Sequence, residues 1–223
     1  MALRLILASG SPRRRELLTQ AGVHFTVVTS GAEEILPAHA TPEEAVCAIA
    51  AQKARAVLSL PQAQNAVVLA ADTVVALGNE ILGKPVSPAH AAEMLRHLSG
   101  KTHRVLTGIA LGAADDSPAP AEKTPQMGAF LPQNAENLVH FPLHTAFAVT
   151  EVTFRTLSDA EIAAYVATGD PLDKAGAYGI QGAAGAFVSQ VAGAMDNVVG
   201  LPVSLVDSVL KGCFHHSLAE FAD

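Results

Sequence analysis

Cysteine is scarce in this chain. Cys47 and Cys213 are the only two in 223 residues, too few for a disulfide framework and without metal-ligand spacing. A reduced, cytoplasmic compartment is the expectation. Charge is scarce as well, at 16% of residues, but half the residues are apolar, so the chain has the makings of a packed core and not of a disordered segment. There is no basic excess. The formal charge is −7, which argues against broad nucleic-acid binding, since that needs a positive face. A small anion is still within reach of local arginines. No apolar run approaches the roughly 20 residues of a membrane span. The short run Leu3 to Ala8 precedes the first arginine cluster, the reverse of a signal peptide. No repeat of roughly 20–50 residues is visible. A chain of this length folds as one large domain or two small lobes, and either buries a real core.

What the chain does have is concentrated first in Ser9-Gly10-Ser11-Pro12-Arg13-Arg14-Arg15. Ser11 has the side chain of a helix N-cap and Pro12 suits the first helical position. Leu17, Leu18 and Ala21 form a stripe and Gly22 a stop. Three arginines therefore fall in the first turn, where the helix dipole disfavours each by about 0.3–1 kcal/mol if exposed. An anion over the turn removes that cost. The alternative is that the arginines splay into solvent around an ordinary strand–helix turn.

Further along, Phe25 to Val28 reads as a strand. A helix from Thr41 to about Leu58 opens with Thr41, Pro42 and Glu44, a full capping box. Lys53 falls on its apolar stripe, either snorkelling at the core edge or entering a cleft to meet an anion. Val67 to Ala71 is a buried strand ending in Asp72, followed by Thr73-Val74-Val75. An aspartate there is placed to hold a divalent cation or polarise a water, and a turn aspartate is the alternative. Residues 78–85, GNEILGKP, have the glycine and lysine spacing of a phosphate loop, but Pro85 replaces the hydroxyl residue. A hairpin with Asn79 in its turn and Lys84 at its exit fits better. Ser87-Pro88 opens another helix that stops at Gly100, and Arg104 to Leu111 reads as a strand. Residues 113–145 carry five prolines and little periodicity, the character of a long surface excursion. A strand over 146–154, a capping box at Ser158 and Glu161, a glycine-rich stretch over 173–185 containing Gln181, a strand over 187–191 and a last helix through Leu210 complete the chain. Tight packing alone accounts for the glycines, whereas the Gln181 amide can pair with a base edge. The nine histidines show no metal spacing.

Cations at 13, 14, 53 and 84 and carboxylates at 34 and 72 are the parts that a nucleoside triphosphate site needs. The chain resembles the Maf family of nucleoside triphosphate pyrophosphatases from end to end. LILASGSPRRRELL at 5–18, the glutamate pair at 33–34, AADTVV at 70–75, GKP at 83–85, LSGKTHRVLTG at 98–108, PLDKAGAYGIQG at 171–182 and VVGLP at 198–202 follow in the family's order. The resemblance implies an α/β fold, a mixed twisted sheet with flanking helices and two lobes around a cleft, related to inosine triphosphate pyrophosphatases. It implies hydrolysis of the α–β phosphate bond with Mg²⁺ or Mn²⁺, in a cytoplasmic homodimer with no nucleic-acid or membrane partner. It assigns Asp72 as proton acceptor, and Glu34 with Asp72 as metal ligands. Ser9, Ser11, Arg14, Lys53 and Lys84 would bind phosphate, and Arg13, Thr73 and Gln181 would govern substrate choice. Thr73 and Gln181 resemble the branch acting on dTTP and UTP, as against 7-methyl-GTP. Arg15 has no assigned role. A nucleotide-binding regulator of septum formation, with incidental catalysis, is the alternative reading. The proline-rich segment is longer than is usual for the family, and Asp196-Asn197 is less typical of it. The expected organisation is one domain over 1–223 carrying that insertion.

Overall fold

The computed structural model describes residues 4–29, 31, 34–113 and 142–222. Its strands are β1 (Arg4–Leu7), β2 (Thr26–Val27), β3 (Ala66–Leu77), β4 (Glu80–Leu82), β5 (Thr102–Ala113), β6 (Leu143–Phe154) and β7 (Val188–Ala192). They form one sheet in the order β2-β1-β3-β5-β6-β7, with β4 paired to β3. β1 lies parallel to β2 and β3, and the remaining pairings are antiparallel. The sheet is therefore mixed, as expected. Helices α1 (Pro12–Gln20), α2 (Pro42–Leu58), α3 (Pro88–Leu98), α4 (Asp159–Ala167), α5 (Met195–Val199) and α6 (Val203–Val209) flank it. Among the described residues, no helix is long and apolar enough to cross a membrane.

Local signals account for these elements. Thr41 and Glu44 close the expected capping box of α2, and Ser158 and Glu161 that of α4. The β3–β4 hairpin turns at Gly78-Asn79. β3 differs from the expectation in one respect that matters. It is a single twelve-residue strand, so Asp72 lies inside it and not at its end. Continuous pairing with β5 from Val67 to Ala76 carries the backbone straight through the aspartate. β5 and β6 are also longer than expected and run into both ends of the 113–145 segment, because their main chains pair out to Gly112 and Leu143. The rest of that segment, 114–141, lies outside the described residues.

Side chains alternate along β3 and sort the core by face. Val68, Ala70, Val74 and Ala76 pack under α2, with Ala50, Ala54 and Val57 at one end and Val46 at the other. Val67, Leu69 and Ala71 face the opposite way, into a core built with α1, α6 and the C-terminal residues Leu218 and Phe221. Val75 joins a separate core on that same face, with α3, α4, Phe154 and Phe187. The two lobes thus share one sheet, and they part at residues 72–73. The edge of β3 is also open there, since β1 pairs with it up to Leu69 and β4 begins at Val75.

Candidate active site

The arginine turn is organised by Ser9. Ser11 occupies the N-cap position of α1, but its side chain caps nothing; the Ser9 hydroxyl accepts from the Ser11 amide at 3.3 Å and from Arg14 Nη1 at 3.1 Å. Arg14 is 9% exposed. Its Nε donates to the Gly200 carbonyl at 2.8 Å and its Nη2 to Thr73 Oγ1 at 3.1 Å. Gly200 has φ +122°, a conformation that glycine adopts freely and that turns its carbonyl onto the guanidinium. No carboxylate among the described residues forms an ion pair with Arg14. Burial pulls its pKa below the ordinary value, and the charges of Asp72 and Glu34 oppose that from a distance. A buried cation held only by neutral oxygens leaves an anion to be supplied from outside. The other two arginines part company with it. Arg13 is half-buried and its charge reaches Asp170 and Asp173, whereas Arg15 is exposed.

On the other face of β3, Lys53 does not snorkel to solvent but pairs with carboxylates. Its ammonium lies 2.8 Å from Asp72 Oδ1 and 2.9 Å from Glu34 Oε1. Lys53 and Asp72 are 18% and 16% exposed, Glu34 55%. The lysine reaches the aspartate because α2 lies close on the sheet where Gly108 pairs with Asp72. A Cβ at Gly108 would stand 2.5 Å from the Val46 carbonyl. Gln52, which the sequence reading passed over, secures the segment carrying Glu34. Its Oε1 accepts from the Ile35 amide at 2.9 Å and its Nε2 donates to the Ile35 carbonyl at 2.7 Å. The only signal in the sequence was its position beside Lys53 on α2.

Lys84 and Gln181 are exposed and make no bond to this centre among the described residues. Their segments are tied to one another, since the Gly176 amide donates to the Gly83 carbonyl at 3.0 Å. Gly176 also packs against Val75 with no room for a Cβ, so tight packing does explain that glycine. The turn bearing Gln181 rests on a polar foot. Lys174 Nζ donates to Asp170 Oδ1 and Asp173 Oδ1, both at 2.8 Å; Tyr165 donates to Asp170 Oδ2 at 2.6 Å and accepts from the Gly179 amide at 3.2 Å. Hydrogen bonds from Lys174 hold both aspartates below the usual carboxylate range. Asp196 is structural, accepting from the amides of Asn197 and Val203. No group of three or more His, Cys, Asp or Glu converges among the described residues; the carboxylates that Lys53 draws together are Glu34 and Asp72.

The family model of the Maf-like proteins matches residues 4–213. The chain belongs to that family. The dTTP/UTP pyrophosphatase of Salmonella typhimurium (strain LT2) is 48% identical over 89% of this chain and 87% of its own length. That of Bacillus cereus (strain AH820) is 44% identical over 93% and 94%. Among solved structures, a HAM1 protein from Coxiella burnetii overlaps at 16% identity and a TM-score of 0.39, over 68% of this chain and 73% of that one. Within the Maf-like family, this chain combines a buried arginine, unpaired with any carboxylate among the described residues, on one face of β3 with a lysine-bridged carboxylate pair on the other.

Proposed function

We infer that this protein hydrolyses the α–β phosphate bond of dTTP and UTP, releasing the nucleoside monophosphate and pyrophosphate. Relatives named for that activity match it over nearly their whole length. The observation that carries the reading is Arg14, buried with no carboxylate partner among the described residues and adjoining the Lys53–Asp72–Glu34 cluster. Phosphoryl chemistry is mostly positioning and charge neutralisation, and these groups divide that work. Arg14 binds phosphate oxygens through the N–H groups that its bonds to Ser9, Gly200 and Thr73 leave over. Ser9, Ser11, Lys53 and Lys84 add donors for the triphosphate. Asp72 accepts the proton of the attacking water. Arg13, Thr73 and Gln181 select the nucleoside.

The two carboxylates gathered by Lys53 among the described residues suit a cation shared with substrate, because Mg²⁺ at phosphoryl sites takes one or two carboxylates plus phosphate oxygens. Glu34 and Asp72 would hold it, and when bound, Mg²⁺ or Mn²⁺ supplies charge neutralisation for the phosphates and acidifies the water. Lys53 meanwhile keeps the two carboxylates gathered against their mutual repulsion. The working protein is a cytoplasmic homodimer that acts on free nucleotides and not on nucleic acid, in keeping with the acidic charge of −7. Incubation with dTTP, UTP, CTP and 7-methyl-GTP in Mg²⁺ or Mn²⁺ tests the activity, with pyrophosphate release from dTTP and UTP expected. No release from either overturns it. Asp72→Asn should abolish turnover with the fold intact; full activity in that variant would remove the aspartate from its role.

A further inference from the structure

Between the two apolar cores on the α1 face, β3 and β5 place a line of buried polar groups whose hydrogen-bond directions are fixed. Thr107 Oγ1 donates to the Asn197 carbonyl at 2.9 Å. A carbonyl only accepts, and a threonine hydroxyl has one proton to give. The 2.9 Å contact between Thr73 and Thr107 therefore runs from Thr73 to Thr107. Arg14 Nη2 then donates into Thr73 at 3.1 Å, in the same direction. The far end is anchored: Asn197 Nδ2 donates to the Val105 carbonyl and to Thr150 Oγ1, both at 3.0 Å, and Thr150 donates to the Ala194 carbonyl at 3.0 Å. Thr107, Thr150 and Asn197 are fully buried, so bulk water offers Thr107 no competing partner. Thr73 is half-buried. Its proton is spent on Thr107 and one lone pair on Arg14, which leaves one lone pair for a ligand.

We propose that Thr107 is a specificity-determining positioning residue, which commits the Thr73 hydroxyl to the acceptor role so that the nucleoside group meeting it must be a hydrogen-bond donor. This rests on the substrates inferred above. dTTP and UTP differ at the 5-methyl and the 2′-hydroxyl; the donors they share are the ring N3–H and the 3′-hydroxyl. Cytosine has the opposite polarity at N3, a bare acceptor, and two acceptors facing one another with no proton between them repel. A site built to receive a hydrogen bond discriminates strongly against a ligand that cannot give it. Removing the Thr107 hydroxyl frees the Thr73 proton, lets Thr73 donate as well as accept, and so relaxes the selection.

The experiment measures kcat/KM of wild type, Thr107→Val and Thr107→Ser for UTP, CTP and 3′-deoxy-UTP. The expected result is that Thr107→Val shrinks one selectivity ratio by about tenfold or more while Thr107→Ser keeps it. A change in the UTP/CTP ratio identifies N3–H as the donor; a change in the UTP/3′-deoxy-UTP ratio identifies the 3′-hydroxyl. A purely structural role for Thr107 lowers stability and leaves both ratios alone. Both ratios unmoved in a folded variant overturn the proposal; Thr107→Ala serves if Thr107→Val does not fold. Should the wild type release no pyrophosphate at all, the activity reading fails separately. The proposal is then decided by calorimetric binding of the α,β-methylene analogues of the same three nucleotides, with the same ratios read.

Discussion

Arg13, Arg14 and Arg15 are three identical side chains in one turn, and their surroundings give them three different fates. Arg14 is bonded to Ser9, Thr73 and Gly200 and buried with no paired counter-charge among the described residues, whereas Arg15 is exposed. Arg14→Ala should lower kcat/KM roughly 10²–10³-fold, the usual loss when a preorganised charge donor is removed. Arg15→Ala should change it by no more than about twofold, less than the roughly 1.36 kcal/mol that a tenfold change represents. Steady-state kinetics on UTP compare the two, and equal losses would contradict this account of the turn. His103 makes a second case at the same scale. It is 2% exposed, its Nε2 lies 2.8 Å from the Tyr178 hydroxyl, and burial pushes its pKa from 6.5 down to about 4. The folded protein keeps this ring neutral at pH values where the unfolded chain protonates it. Its contribution is complete above the unfolded pKa of 6.5 and is lost as pH falls toward about 4, a loss of about 3 kcal/mol. Denaturant midpoints at pH 7 and pH 4.5 should converge in His103→Phe relative to wild type.

Elements convert these residues into a site by deciding which face each one meets. Much of that layer was legible in the sequence. The capping signals at Thr41 and Ser158 named the starts of two helices, and the lysine on an apolar stripe left snorkelling and an inward partner both open. What escaped was long-range. Asp72 and Thr73 read as neighbours in one cluster, yet a strand sends them to opposite faces, and only the unbroken pairing of β3 with β5 shows that they sit within a strand. The cap expected of Ser11 is not made, since its side chain accepts no amide of the first turn; the hydroxyl that orders the turn is that of Ser9, two residues earlier. Thr107, inside a matched motif, and Gln52, beside Lys53, carried no signal of their roles, since ordinary polar residues acquire meaning only from partners far away in the chain. Gly108 shows how close the elements must come. Alanine there would force a Cβ to 2.5 Å from the backbone of Val46, so α2 has to lift off the sheet and Lys53 with it. Overpacking of this kind costs about 1–3 kcal/mol, and misplacement by about 1 Å can cost roughly 10²-fold in rate. Gly112→Ala is the control, since its nearest contacts are the side-chain ends of Leu143 and Leu58, which can yield, with the Pro142 carbonyl farther off at 3.2 Å. Both variants should melt below wild type, and only Gly108→Ala should lose turnover measured well below its midpoint.

At the scale of the whole molecule, the sheet supplies the fixed frame and the connection between β5 and β6 is the part most open to change. The two strands pair without interruption from Thr102 with Thr153 out to Gly112 with Leu143, so their ends already lie at hairpin distance. The site sits further along the same ladder, where Asp72 pairs with Gly108 and Gly108 with Phe147. Four residues of strand separate that level from the hairpin end, about 13 Å at the rise of an extended chain. Lys53, Arg14 and Glu34 reach Asp72 and Thr73 from α2, α1 and the segment before α2, none of them through the β5–β6 connection. We propose that residues 114–141 are an insertion that the site does not need. Replacing them with a two-residue Asn-Gly turn after Ala113 should leave kcat and KM for UTP within about twofold of wild type, because the strands already hold the register that such a turn needs. Closing a loop several doublings shorter is worth about 0.6 kcal/mol per doubling, so the shortened protein should melt higher by the equivalent of about 2 kcal/mol. A fall in kcat/KM with the melting temperature preserved would mean that the excised residues serve the reaction, and the insertion would then have to be counted as part of the active site.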